Sequence, residues 1–94
     1  MNANVKEPLV SVGVISYNSS DYILDVLESI KVQTYPNIEL IISDDKSSDN
    51  TVEICKEWVS KNKERFVRVE IIVPEHNTGT AGNYNRALFA SKGK

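Results

Sequence analysis

One cysteine in 94 residues rules out an internal disulfide. Cys55 lies beside Trp58 and Val59 in a helical pattern and reads as a small buried apolar residue. Glycine and proline number only four and three, and 40% hydrophobic with 26% charged residues is ordinary globular usage, so disorder and fibrous repeats are excluded. No apolar run approaches the ~20 residues of a membrane-spanning helix. The longest, Leu9 to Ile15, is interrupted by Ser11 and Gly13. A secretory leader is not expected, since Lys6 is followed at once by Glu7 and Pro8 with no small-residue cleavage site, and the cytoplasm is the expected location. Eleven Lys and Arg against thirteen Asp and Glu give a net charge of −2, without the basic excess that nucleic-acid binding needs. The single histidine, His76, has no second His or Cys nearby to make a metal site with it and reads as a solvated loop residue.

What is present is an alternation of two periodicities. Leu9, Val10, Val12, Val14 and Ile15 form a β-branched run with the composition of a strand buried on both faces. Ser19-Ser20-Asp21 supplies capping residues, and Ile23, Val26, Leu27 and Ile30 follow at helical spacing, so a first helix is predicted to end near Thr34, before Pro36. Ile38, Leu40, Ile41 and Ile42 give a second strand that stops at Ser43-Asp44-Asp45. Asp49-Asn50-Thr51 then caps a second helix with Val52, Cys55, Trp58 and Val59 on one face. Val67, Val69, Ile71 and Val73 alternate with Arg68 and Glu70 in a more exposed third strand. Ala81, Tyr84 and Leu88 mark a third helix ending near Gly93. The order β-α-β-α-β-α with short connections predicts an α/β, Rossmann-like, three-layer architecture: a parallel sheet with helices on both faces.

In such sheets ligands bind beyond the carboxyl ends of the strands, which brings together Ser16-Tyr17-Asn18, Ser43-Asp44-Asp45 and Glu75-His76-Asn77. Neither a G-x-G-x-x-G fingerprint nor a phosphate-binding loop with its Lys follows the first strand, so a diphosphate is not cradled by either standard device. Adjacent carboxylates at a strand end point in opposite directions, so one of Asp44 and Asp45 binds and the other supports. An ionised carboxylate only accepts hydrogen bonds, which suits a base N–H or ribose hydroxyls and repels phosphate. Asp49 reads as a helix cap.

These residues carry a resemblance. Val10-Ser11-Val12 through Ser16-Tyr17-Asn18, Leu27-Glu28-Ser29-Ile30, Gln33-Thr34-Tyr35-Pro36-Asn37, Glu39 through Asp45 with Ser47, Ser48, Asp49 and Thr51, and Asn77-x-Gly79 resemble the nucleotide-binding half of family 2 glycosyltransferases, from about residue 8 to residue 94. The resemblance implies a partial GT-A fold and a parent enzyme of polysaccharide biosynthesis type. Such an enzyme transfers a sugar from a nucleoside-diphosphate donor, usually UDP-linked, to a saccharide, lipid or protein acceptor with inversion. It implies that Asp45 contacts the base and that Ser16, Tyr17 and Asn18 line the base pocket with Tyr17 against the ring. Asp44 is the weaker candidate, Asn77 turns back toward the nucleotide, and Asn85 matches the family's helix asparagine. The family's preceding Arg is replaced here by Tyr84, with Arg86 one position beyond Asn85.

The Asp-x-Asp motif that holds Mg²⁺ or Mn²⁺ in the family does not occur in this sequence. Residues 1–94 are therefore expected to be a single domain, the donor-binding portion cut before that motif, with no catalytic residue or metal ligand of its own. The cation ligands are expected beyond residue 94, and the full-length protein is expected to be cytoplasmic with peripheral association at the inner face of a membrane. In this fold a fourth strand lies beside the first, so Leu9 to Ile15 is expected to be an open edge that self-associates. Two other classes share the features: a non-catalytic nucleotide-binding module, and a phosphoacceptor signalling domain with acidic residues at strand ends.

Overall fold

The computed structural model describes residues 8–93. Its elements alternate as expected: β1 (Val10–Ser16), α1 (Ile23–Lys31), β2 (Ile38–Asp44), α2 (Thr51–Asn62), a 3-10 turn (Lys63–Arg65), β3 (Arg68–Ile72) and α3 (Gly79–Ala90). The strands form one parallel sheet in the order β1-β2-β3, with Val10 opposite Ile38 and Leu40 opposite Val69. Helices α1 and α2 pack together on one face, and α3 lies on the other against β1 and β2. The architecture is the three-layer α/β arrangement that the sequence predicts.

Side-chain alternation along β2 gives the two faces different chemistry. Ile38, Leu40 and Ile42 point to the same side as Val12 and Val14 and meet Ile23, Leu27, Cys55, Trp58 and Phe66 in the core. The Trp58 and Phe66 rings sit 6.0 Å apart, and the Trp58 indole N–H donates to Glu28 at 2.7 Å, so the one polar atom of the largest core residue is satisfied. Arg65 closes this layer by donating to the carbonyls of Lys31, Gln33 and Tyr35, just past the C-terminus of α1, where a cation also complements the helix dipole. Burial pushes the Cys55 thiol up to about 11, with the nearby Asp44 charge adding to the effect, as the expected buried cysteine requires.

The other face of β2 presents Glu39, Ile41 and Ser43, all fully buried. Burial by itself would raise the Glu39 carboxyl. The Lys92 amide at 2.7 Å, the Ser11 hydroxyl at 2.6 Å and the Arg68 guanidinium instead hold it below the usual carboxylate range. The Gly93 amide in turn donates to Ser11 at 2.8 Å, so the segment after α3 turns along β1.

Two expectations are corrected. The first strand is not buried on both faces: Gly13 is exposed and Ile15 is 38% exposed, because among the described strands β1 is an edge and α3 covers it only near Ala87. Helix α1 starts at Ile23 and ends at Lys31, and no side chain caps it; the Ser19 carbonyl accepts the Tyr22 and Ile23 amides instead. In α3 Asn83 and Ala87 are buried against the sheet, while Tyr84 and Leu88, 56% and 57% exposed, border a groove over β1 with Ser11, Gly13 and Ile15.

Ile42 is fully buried at the centre of the sheet, so Ile42→Ala is expected to lower stability by about 2 to 5 kcal/mol. Leu24→Ala, on the exposed side of α1, is expected to change it by no more than about 0.5 kcal/mol. Urea denaturation followed by far-ultraviolet circular dichroism measures both.

Candidate functional site

The end of β2 fixes the roles of the paired acids. Asp44 continues the side of the strand that carries Ile42, and its buried carboxylate accepts from the Ser16 hydroxyl at 2.7 Å and from the Ser47 amide and hydroxyl at 2.8 and 2.6 Å. It is a support that ties β1 to the loop after β2. Lys46 then adopts a left-handed backbone conformation, φ 61°, which brings Ser47 back under Asp44. Asp45, one residue on, points to the opposite side, toward α3.

The Asp45 carboxylate receives four donors. The Thr78 amide and hydroxyl reach Oδ1, each at 2.8 Å, and the Arg86 guanidinium reaches the same oxygen at 3.1 Å. The Gly79 amide reaches Oδ2 at 2.9 Å. Burial alone would raise this carboxyl, and the four donors outweigh it to hold the group below its ordinary value. The first amides of a helix have no intrahelical acceptor, so Asp45 caps α3 from a neighbouring strand. Gly79 has φ +82°, a conformation that only glycine adopts without strain, and no atom lies close enough to obstruct a Cβ there. The glycine therefore serves the turn into α3.

Around Asp45 opens a pocket of about 550 Å³, lined by Ile15, Ser16, Tyr17, Asp45, Asn77, Gly79, Thr80 and Asn83. That volume is in the range of small-ligand sites. Of the residues expected from sequence, Asp45, Tyr17, Ser16 and Asn77 come together here. Asn77 also donates to the Asp45 carbonyl, locking the end of the β3–α3 loop to the end of β2. Asn18 instead stitches two loops: its side-chain oxygen accepts the Ser48 amide at 2.8 Å, and its own amide donates to Ser47 at 2.8 Å. Glu75 and His76 are exposed and do not line the pocket.

Of the site residues expected from sequence, Asn18, Asp44 and Asn85 do not line this pocket. Asn85 is exposed on α3. At 100° per residue, a helix that presents Asn83 and Ala87 to the sheet turns position 85 outward. Asn83 takes the inner place: it is 1% exposed, its Oδ1 accepts the Ser43 hydroxyl at 2.5 Å, and its amide donates to the Ser16 carbonyl at 3.1 Å. Sequence reasoning missed Asn83, Thr78 and Thr80. The available signal was the polar inner face of β2, which needs a polar partner from the helix above it.

Among the described residues, no group of three or more His, Cys, Asp or Glu side chains is arranged to hold a metal ion. Nor is any helix of the described residues long and apolar enough to cross a membrane.

Fold and site together define a parallel α/β segment with a ligand pocket at the carboxyl ends of its strands. The model of glycosyl transferase family 2 matches residues 11–94, and the chain belongs to that family. It is 41% identical over 86 residues to the UDP-Glc:alpha-D-GlcNAc-diphosphoundecaprenol beta-1,3-glucosyltransferase WfaP of Escherichia coli, covering 92% of this chain and 32% of that protein. It is 37% identical over 86 residues to the glycosyltransferase GlyG of Streptococcus pneumoniae, covering 92% and 27%. Among solved structures it is similar to the mannosyltransferase PcManGT of Pyrobaculum calidifontis in complex with GDP-Man and Mn²⁺, with TM-score 0.85, 27% identity, and coverage of 94% of this chain and 26% of that one. The chain thus spans between a quarter and a third of the length of these proteins.

Asp49 confirms its reading as a cap. The Thr51 hydroxyl, against the opposing effect of burial, and then the Thr51 and Ser20 amides lower its carboxyl to about 2. A carboxyl depressed in the folded state stabilises the fold above its unfolded value of about 3.9, and that stability is lost as pH falls toward 2. Asp49→Asn, which removes this titration, is expected to lose less stability than wild type between pH 4 and pH 2. Thermal melts across that window, read as the slope of Tm against pH, measure it.

Proposed function

We propose that the protein is a glycosyltransferase that moves a sugar from a nucleoside-diphosphate donor, UDP-linked, to a saccharide, lipid or protein acceptor with inversion. Residues 8–93 are read as the part that recognises the donor nucleotide. The observation that carries this reading is the Asp45 carboxylate at the wall of the pocket. Oδ1 takes three donors, whereas among the described residues Oδ2 takes only the Gly79 amide, so Oδ2 keeps acceptor capacity for a base N–H. Tyr17, exposed on the pocket's rim, offers a flat apolar face to the ring, and Ser16 and Asn77 add polar wall near the ribose.

The named activities of WfaP and PcManGT, one with UDP-Glc and one in complex with GDP-Man, support a nucleotide-sugar donor. Uracil and guanine both carry a ring N–H that a carboxylate can accept, so titration with UDP and GDP separates them. A diphosphate near Asp45 needs its charge met. The described residues do not fit a metal site, so a Mg²⁺ or Mn²⁺ ion is assigned to residues outside them. When bound, such an ion supplies neutralisation of the diphosphate leaving group.

Calorimetric titration with UDP tests the reading. A charge-assisted hydrogen bond contributes about 1.5 to 3 kcal/mol, so Asp45→Ala is expected to weaken binding roughly ten- to a hundredfold. Asn85→Ala, outside the pocket, is expected to bind as wild type does. Equal affinity of wild type and Asp45→Ala would overturn the assignment. Release of free UDP from UDP-sugars by the full-length protein, with and without Mn²⁺, distinguishes a transferase from a module that only binds.

A further inference from the structure

Through the pocket wall runs a polar chain that nothing in the family resemblance assigns. The Ser43 hydroxyl, from the inner face of β2, donates to Asn83 Oδ1 at 2.5 Å. The Asn83 amide donates to the Ser16 carbonyl at the end of β1 at 3.1 Å. The Arg86 guanidinium, one helical turn on, uses Nη2 to reach both Asn83 Oδ1 at 3.3 Å and Asp45 Oδ1 at 3.1 Å. One buried amide thus ties together β1, β2 and α3, the three elements that carry the pocket, and one cation connects that amide to the carboxylate facing the ligand.

Arg86 does not line the pocket. Its side chain is 23% exposed, and its buried Nε has no hydrogen-bond partner among the described residues. The grip on Asp45 therefore rests on a single nitrogen, unlike a bidentate fork. Asp45 touches no other charged side chain among the described ion pairs.

We propose that Arg86 and Asn83 are positioning residues for donor recognition: they hold Asp45 Oδ1 so that Oδ2 stays aimed into the pocket. This rests on the reading of Asp45 as the base acceptor. The cation that the sequence lacks at position 84, where Tyr84 stands, is supplied two positions later from the same helix, and it acts on the carboxylate and not on the ligand. Because only one nitrogen is used, a lysine ammonium can replace it, which a bidentate contact would not allow.

Three substitutions and two readouts test this, in the full-length protein. Arg86→Ala is expected to weaken UDP binding about tenfold, the loss of one charge-assisted hydrogen bond. Arg86→Lys is expected to return affinity to near wild type. In the same proteins without nucleotide, the ¹³C carboxyl titration of Asp45 is expected to move up in Arg86→Ala and to return in Arg86→Lys, a signature that mere packing of α3 would leave still. Asn83→Ala is expected to weaken UDP binding as well; should it fail to fold, the Arg86 pair decides. Unchanged UDP affinity or an unmoved Asp45 titration in Arg86→Ala would overturn the proposal, as would a lysine that restores neither. The two readings fail separately. If wild type and Asp45→Ala bind UDP equally, donor recognition by Asp45 is wrong, whereas the Asp45 titration in ligand-free protein still reports whether Arg86 holds it.

Discussion

A carboxylate taken out of water must find donors, because burying it unpaired costs several kcal/mol, on the order of what holds a small domain folded. Asp45 stands at the end of a strand in which every residue is buried, and it draws its donors from the start of the next helix: the Thr78 amide and hydroxyl, the Gly79 amide and the Arg86 guanidinium. That satisfaction decides where α3 begins and how its first turn lies over the sheet. The pocket is a consequence, since its far wall is the segment that Asp45 captures and its near wall is the end of β1 and β2. The same group caps a helix and lines the pocket, so the seating of α3 and the shape of the pocket depend on one side chain.

The two faces of the sheet divide the remaining work. The α1–α2 side is apolar and supplies the non-directional burial that holds the layers together, with Trp58 and Glu28 making a polar contact at its border. The α3 side is polar and directional. Glu39 is fully buried yet met by Ser11, Lys92 and Arg68, and Ser43 is met by Asn83. Networks of this kind contribute little net stability compared with apolar packing, but breaking one member is costly, so they fix where α3 sits more than how tightly it sits.

The alternation of strands and helices was legible because each strand is a short β-branched run and each of the first two helices carries apolar residues at helical spacing. The opposite orientations of Asp44 and Asp45 were legible too, since successive side chains at a strand end alternate in direction. The packing of the third helix was not. Asn83 and Ala87 are its buried residues, because over Ser43 and Gly13 the sheet takes a polar and a small partner, while Tyr84 and Leu88 border the groove over β1. The family motif selects Asn85, two positions from Asn83, the asparagine that is buried against the sheet. The caps were misread for a related reason: Ser19 serves α1 through its backbone carbonyl, and Asp45 caps α3 across a gap of more than thirty positions that local motifs do not span.

The central claim is that Asp45 holds the first turn of α3 in place at the pocket wall. Amide hydrogen exchange of wild type and Asp45→Ala, without ligand, tests it most directly, because the Thr78 and Gly79 amides have Asp45 as their acceptor. The account predicts faster exchange at these two amides in the variant, with the core amides of β2 and α2 unchanged. Wild-type protection at Thr78 and Gly79 in the absence of the carboxylate would contradict it.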